Sequence, residues 1–382
     1  MLDGPDSPSR PPVISSPRRV SDTLPADRES RQPGGLWRGG RLATAVLTLA
    51  LAGAFAAQPA CRSRSTLPAQ LTDEEFWKLS AELSEPAGDF PHSDNLVSNE
   101  TQYVHTMHTL GSTGGVYIGV GPEQNFSFIA RLRPAMAFIV DIRAGNRGVH
   151  FLYKALFESA GDRAEFVSRL FSRPRPAGLG ADTPVQELFT RFARQPADRH
   201  LRDETLQLVR ARLMEQHEFA LTAEDQQSIE YALTAFFLDG PDIHYARLHA
   251  SEPPGPSYRT LMTATTVGGA GHSYLWSEEH FAFVKQLQAR NLIVPVIGDF
   301  GGTGALRRTG DYVSRHREVV SAFYSSNVEV YLNREKGAAF CRNLAMLPYN
   351  WQTWFIGSKG KQPLRLKIAA CSGQDTMKVP PR

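Results

Sequence analysis

The sequence predicts an α/β protein, a doubly wound, mostly parallel sheet with a large helical insertion between its second and third strands. Three observations carry this. Short apolar runs, GVYIG at 115–119, AFIVD at 137–141 and LIVPVI at 292–297, read as strands buried on both faces. Stretches of helical length separate the runs and set a β-α-β rhythm. No strand-like run occurs from 150 to 255, which makes that stretch the insertion.

Taken in order, residues 1–41 hold seven Pro and five Gly among many Ser, Asp and Arg, and read as a disordered tail. Leu42–Ala60 is a charge-free run of nineteen residues preceded by Arg38 and Arg41, so 42–61 reads as a signal peptide or membrane anchor. Seven arginines precede the run and two follow it, which orients the bulk of the chain to the outer side of the inner membrane. Cys61 is the candidate for lipidation, as in a bacterial lipoprotein. Cleavage, retention and lipidation all stay open.

Residues 67–149 form the N-terminal part of the sheet domain. Thr72 and Glu75 make a capping box for a helix over 72–84, with Phe76, Leu79 and Leu83 as its apolar stripe. A loop covers 86–99 and a second helix 100–110. The unit 115–141 is β-α-β, with its helix over 125–133. The insertion, 150–256, starts with a helix over 150–172 that Pro174 and Pro176 stop. More helices follow, one of them capped by Thr222 and Asp225. Residues 257–372 resume the rhythm: helix 277–290, strand 292–297, helix 304–315, strand 319–324, helix 330–347 and strand 353–356. A last strand is expected over 364–369, and a tail over 373–382.

The net charge is +3, but residues 1–66 hold nine Arg against five Asp and Glu, so the rest is near neutral. Nothing in that balance suggests nucleic acid. Three cysteines exclude a disulfide scaffold. Cys341 and Cys371 either pair after export or remain buried thiols.

The chemistry centres on the first strand, which runs into Gly119-Val120-Gly121-Pro122-Glu123-Gln124-Asn125 and then a helix. Such a turn lets a ligand approach the backbone at the positive helix end. Asp141 ends the next strand, where an acid can accept both hydroxyls of a ribose. Gln124 takes the place of the third glycine of the dinucleotide fingerprint. A ligand with ribose and adenine but no pyrophosphate therefore fits best.

This turn, Asp141, Gly298-Asp299 after the third strand and SAFYSSNVEVYL after the fourth resemble class I S-adenosylmethionine-dependent methyltransferases. The resemblance covers about 115–147 and 277–360. It implies a Rossmann-like, methyltransferase-like fold with S-adenosylmethionine as cofactor. The glycine turn, with Gly119, Gly121 and Glu123, would hold the amino-acid part. Asp141 would take the ribose, and Asp299 would face the adenine. Ser325, Ser326 and Asn327 would lie at the substrate edge. No Asp/Asn-Pro-Pro-Tyr element is present, so catalytic residues stay unassigned. The phrases LVSNE, VGPEQNF, RPAMAFIVDIR, LYKALFE and NLIVPVIGDF are also similar to a family of uncharacterised bacterial proteins, which implies the same fold.

Other groups read as structure. His105 and His108 lack an evident third ligand, so no metal is expected. Asp239 and Asp242 sit in a Gly-Pro turn, and Arg169, Arg173 and Arg175 read as a solvated helix end. Oligomeric state is not readable. Two functions remain from this reading: an adenosyl-binding protein, acting as a methyltransferase on an unknown substrate, and an exported non-enzymatic envelope protein with a degenerate form of the same fold. A different nucleotide-using enzyme is the third.

Overall fold

The computed structural model describes residues 65–92, 95–245 and 255–374. The segment 42–61 with Cys61 and residues 375–382 lie outside them. No helix among the described residues is long and apolar enough to cross a membrane.

The protein is α/β, with one six-stranded, mostly parallel sheet and thirteen α-helices among the described residues. Helix α1 (Asp73–Leu83) begins at the predicted capping box: Thr72 Oγ1 accepts the Glu75 N–H, and the Glu75 carboxylate accepts the Thr72 N–H at 2.8 Å. After α2 (Tyr103–His108) come β1 (Val116–Gly119), α3 (Gln124–Leu132) and β2 (Met136–Asp141), the expected β-α-β unit. Both strands are buried along their whole length, which is why their sequences are apolar without alternation.

Helices α4 (Ala144–Ser159), α5 (Arg163–Phe171), α6 (Val185–Phe192), α7 (Arg199–Arg210), α8 (Ala223–Asp239), α9 (Tyr258–Thr263) and α10 (Glu278–Ala289) follow before the next strand. The helix expected over 150–172 is in fact two. Asp162 adopts extended backbone and its carboxylate caps the Glu165 N–H at 2.8 Å, so a new helix starts there. The Thr222–Asp225 capping box is present on α8.

The remaining elements are β3 (Ile293–Ile297), α11 (Ala305–Arg315), β4 (Val320–Ser326), α12 (Arg334–Met346), β5 (Trp354–Gly357), β6 (Gly360–Pro363) and α13 (Leu364–Gln374). The helix expected from 330 begins only at Arg334, after a 3-10 turn over Val328–Tyr331. The strand expected over 364–369 is a helix, and the last strand is the polar Gly-Lys-Gln-Pro before it. The alternation in LRLKIA suits a strand, but only Leu364 of its apolar residues is buried, and Leu366 is half exposed. A hairpin pairs β6 antiparallel with β5.

The strands lie in the order β3-β2-β1-β4-β5-β6, and all neighbours but the last pair are parallel. The order runs one way from β1 through β2 to β3 and then reverses across β1 to β4. One core serves sheet and helices alike. Phe126 on α3 packs edge to face on Tyr153 and Phe157 of α4, and Phe157 reaches Phe166 of α5 and Phe281 of α10. Such aromatic pairs add about 0.5–1.5 kcal/mol each beyond their buried area. They hold α3, and with it the glycine turn, against α4, while Phe128 on the same helix packs on Tyr117 of β1 and Tyr324 of β4.

Candidate functional site

Because β1 to β4 are parallel, their carboxyl ends open on one edge of the sheet. The residues just beyond them line a cleft of about 210 Å³. Gly121, Asp141, Asp299, Ser326 and Asn327 all line it, each from a different strand end save the last two. Gly119, Glu123 and Ser325 are not in its lining. The other walls are the segment with Phe90, Asn95 and Ser98, and Tyr331 with Lys336 after β4.

The glycine turn is built for approach. Gly121 has φ +80°, and a Cβ placed there would meet nothing within 4 Å. Its backbone is fixed from behind: the carbonyl accepts bonds from Asn125 Nδ2 (3.0 Å), Asn146 Nδ2 (3.2 Å) and His150 Nε2 (2.9 Å). Burial lowers His150 to about 4, so the ring is neutral and its Nε2 proton faces that carbonyl. Gly119 has a packing role instead. A Cβ there would lie 2.0 Å from Asn125 Oδ1.

Glu123 is fully buried under the turn, and its two oxygens accept the Ser98 N–H at 3.1 and 3.2 Å. Burial raises it to about 7. It ties the segment around Ser98 to the start of α3 and is a positioning group.

Both acids of the expected cofactor site carry a partner of the chain. Arg143 grips Asp141 with Nε on Oδ1 (3.0 Å) and Nη2 on Oδ2 (2.9 Å), and both side chains are buried. Asp299 accepts the Gly301 N–H at 2.8 Å and Lys336 Nζ at 2.6 Å. The loop after β3 also has an internal anion. Glu85 accepts the N–H groups of Asp299 (2.8 Å) and Ala305 (3.2 Å), the latter at the start of α11. That helix end is thus taken by a carboxylate, which disfavours a phosphate there.

Ser326 ends β4 with φ +51°, at a register shift that skips Ser325 against β5. A bulge and a left-handed non-glycine residue next to a cleft are features that re-aim a side chain. Its hydroxyl donates to Glu100, whose other oxygen accepts Tyr324 Oη at 3.0 Å. Burial raises Glu100 above the usual carboxylate range.

Sequence reasoning missed Gln124 as a cleft residue, though it marked the position as a departure from glycine. It also missed Asn95, Arg143, Glu100 and Lys336. No local pattern flags these: Asn95 and Lys336 come from segments distant from the strands they meet, Arg143 is set by its grip on Asp141, and Glu100 lies behind the lining, under Ser326. Of the groups read as structure, Arg169 pairs with Glu165, Arg175 with Asp162, Asp242 with Arg259 and His108 with His272. Arg173 is not the solvated side chain expected: its Nε and Nη1 are buried without a hydrogen-bond partner among the described residues. Cys341 and Cys371 form a disulfide.

A family model described as a domain of unknown function, DUF7790, matches residues 95–177 and 197–376. No curated protein matches the chain.

Proposed function

We propose, for a chain that belongs to the DUF7790 family, that the cleft binds an adenosyl ligand and that the fold is a doubly wound, Rossmann-like sheet of methyltransferase type. The strand order supports the fold reading. Ligands of such sheets sit outside the carboxyl ends of the strands where the order reverses, here between β1 and β4. On this reading the insertion between β2 and β3, residues 150–256, takes in the later part of α4 and α5 to α8.

One observation carries the ligand reading. The unobstructed Gly121 turn, Asp141, Asp299 and the Ser326–Asn327 step converge on a single cleft. Gly121 offers backbone contact, and Asp141 and Asp299 offer acceptor oxygens beside their cations. S-adenosylmethionine fits this set, and when bound it supplies an activated methyl group. The acceptor would then approach over Ser326, and the Ser326–Glu100 pair would take its proton.

A second reading has its own support. Arg143 and Lys336 already engage the two acids, as in a site that has lost its cofactor. The disulfide supports export, since disulfides persist in oxidising compartments. Calorimetric titration of the purified chain with S-adenosylmethionine and S-adenosylhomocysteine separates the two. Saturable one-site binding is expected; absence of heat with both would leave the non-enzymatic envelope protein.

A further inference from the structure

We infer that Gln124 and Asn95 read the amino edge of an adenine base in the cleft, and so set its preference for 6-aminopurine nucleosides. This rests on the adenosyl reading above and adds the side chains that choose the base.

Gln124 is 1% exposed, lines the cleft, and has neither its amide nitrogen nor its amide oxygen in a hydrogen bond among the described residues. Asn95 lines the same cleft, and its Oδ1 is likewise buried without a partner there. Buried polar atoms are nearly always bonded, so three orphans around one cleft require an explanation. A bound ligand gives one.

The chain holds these two amides in one place. The Glu123 carboxylate, one residue before Gln124, binds the Ser98 N–H, three residues after Asn95. Arg143 fixes the other side, with Nη1 on the Asn95 carbonyl at 3.0 Å while it grips Asp141.

The orphaned atoms specify their complement. Gln124 Oε1 and Asn95 Oδ1 accept, and Gln124 Nε2 donates. The occupant must therefore offer two donors and an adjacent acceptor. The exocyclic amine of adenine carries two N–H groups beside a ring nitrogen that accepts, and a carboxamide pairs with that edge. Hypoxanthine places a carbonyl oxygen there and keeps one donor, N1–H, so it leaves one of the two acceptor oxygens unpaired; guanine meets the count with N1–H, its 2-amino group and O6, and it is the adenosyl reading that sets it aside. Carboxylates and phosphates offer no donor at all. The neighbouring wall suits a planar ring: Phe90 and Tyr331 meet edge to face at 4.8 Å, and the Arg143 guanidinium lies 5.7 Å from the Phe90 centroid. Asp299, the acid that the methyltransferase resemblance directs at the base, pairs with Lys336 and offers only acceptor oxygens, so the donor to the ring nitrogen has to come from an amide.

The test is calorimetric titration of the full chain, and of its Gln124→Ala and Asn95→Ala variants, with adenosine, inosine and S-adenosylhomocysteine. Melting curves check that each variant is folded. The parent should bind adenosine at least about tenfold more tightly than inosine, the size expected when one polar group is left unpaired. Either variant should bring the two nucleosides to similar affinity. Equal binding of adenosine and inosine by the parent would overturn the inference and leave the adenosyl reading standing. Loss of S-adenosylhomocysteine binding in Gln124→Ala with adenosine affinity unchanged would overturn it too, placing Gln124 on the tail. Failure of all three compounds to bind the parent would overturn the adenosyl reading, and this inference with it.

Discussion

Asp141 and Arg143 cannot be separated without cost. The guanidinium is buried with two of its bonds on one carboxylate and a third on the neutral Asn95 carbonyl, so Asp141→Ala leaves a buried charge without its counter-ion. Breaking a buried pair in this way costs about 3–5 kcal/mol. Urea unfolding of Asp141→Ala should show a loss of that order; a loss below about 1 kcal/mol would mean that the guanidinium finds water. A weakened ligand affinity in this variant therefore says little unless the fold is measured beside it. Glu123 and His150 support the same glycine turn with opposite pH responses. Glu123 rises to about 7 from 4.5, so the folded chain keeps a proton that the unfolded chain has lost. Its contribution is complete below pH 4.5 and is lost as pH rises toward 7. His150 falls to about 4 from 6.5, so its contribution is complete above 6.5 and is lost as pH falls toward 4. Glu123→Gln removes only the first of these. Relative to the parent, its unfolding free energy should gain by on the order of 3 kcal/mol from about pH 4.5 to pH 7, measured by denaturant midpoints. A constant difference across that range would count against a buried, titrating Glu123.

At the scale of elements, α12 and α13 are joined by Cys341–Cys371, which closes a loop of 30 residues. Loop entropy alone gives such a link about 3–4 kcal/mol. Cys371→Ser should lose about that much stability, and should be as stable with reductant as without it. Retained sensitivity to reductant in the variant would show that another cause dominates. The elements themselves differ in how legible they were. Strands β1 to β3 could be read because their residues are buried throughout and leave an apolar run with no competing period; β4 and β5 follow from their shorter apolar centres, Ala322–Tyr324 and Phe355–Ile356. The caps at Thr72 and Thr222 could be read because a capping box is written in four residues. The end of the chain could not. Leu364 to Ala369 alternates like a strand, but which segment pairs with β5 is decided by the tight turn at β6, a tertiary choice. The break between α4 and α5 was legible only in hindsight, from Gly161 and Asp162. In the cleft, the floor came from strand ends and could be predicted residue by residue: Gly121, Asp141, Asp299, Ser326 and Asn327. The walls came from the loop with Phe90 and Asn95, from Arg143 at the cap of α4 and from Lys336 in the first turn of α12, none of which carries a local signature. Glu123 shows the limit from the other side: it sits in the right motif, yet its carboxylate turns to the Ser98 N–H and the residue does not line the cleft.

The whole molecule sets two addresses against each other. The charge-free run Leu42–Ala60 with its arginine flank reads as an export signal, and on the proposal of export the Cys341–Cys371 disulfide agrees, since thiols of cytoplasmic proteins stay reduced. A methyl-donor site calls instead for the cytoplasm, where such a cofactor is made. On the proposed reading the conflict lies in the ligand, because the groups assigned to the nucleoside, Gln124, Asn95 and Asp141, do not depend on a methyl donor. A reporter that works only outside the cytoplasm, fused after Thr72, should be active. The native chain taken from cells without reductant should have Cys341 and Cys371 oxidised, shown by alkylation and mass. If both hold, the cleft must draw on a nucleoside present outside the inner membrane, and adenosine becomes the ligand to test before any methyl donor. If the reporter is silent and both thiols alkylate, the export reading fails. The methyltransferase assignment would then regain its cofactor, and the same titration with S-adenosylmethionine would decide whether the Arg143 and Lys336 ion pairs leave room for it.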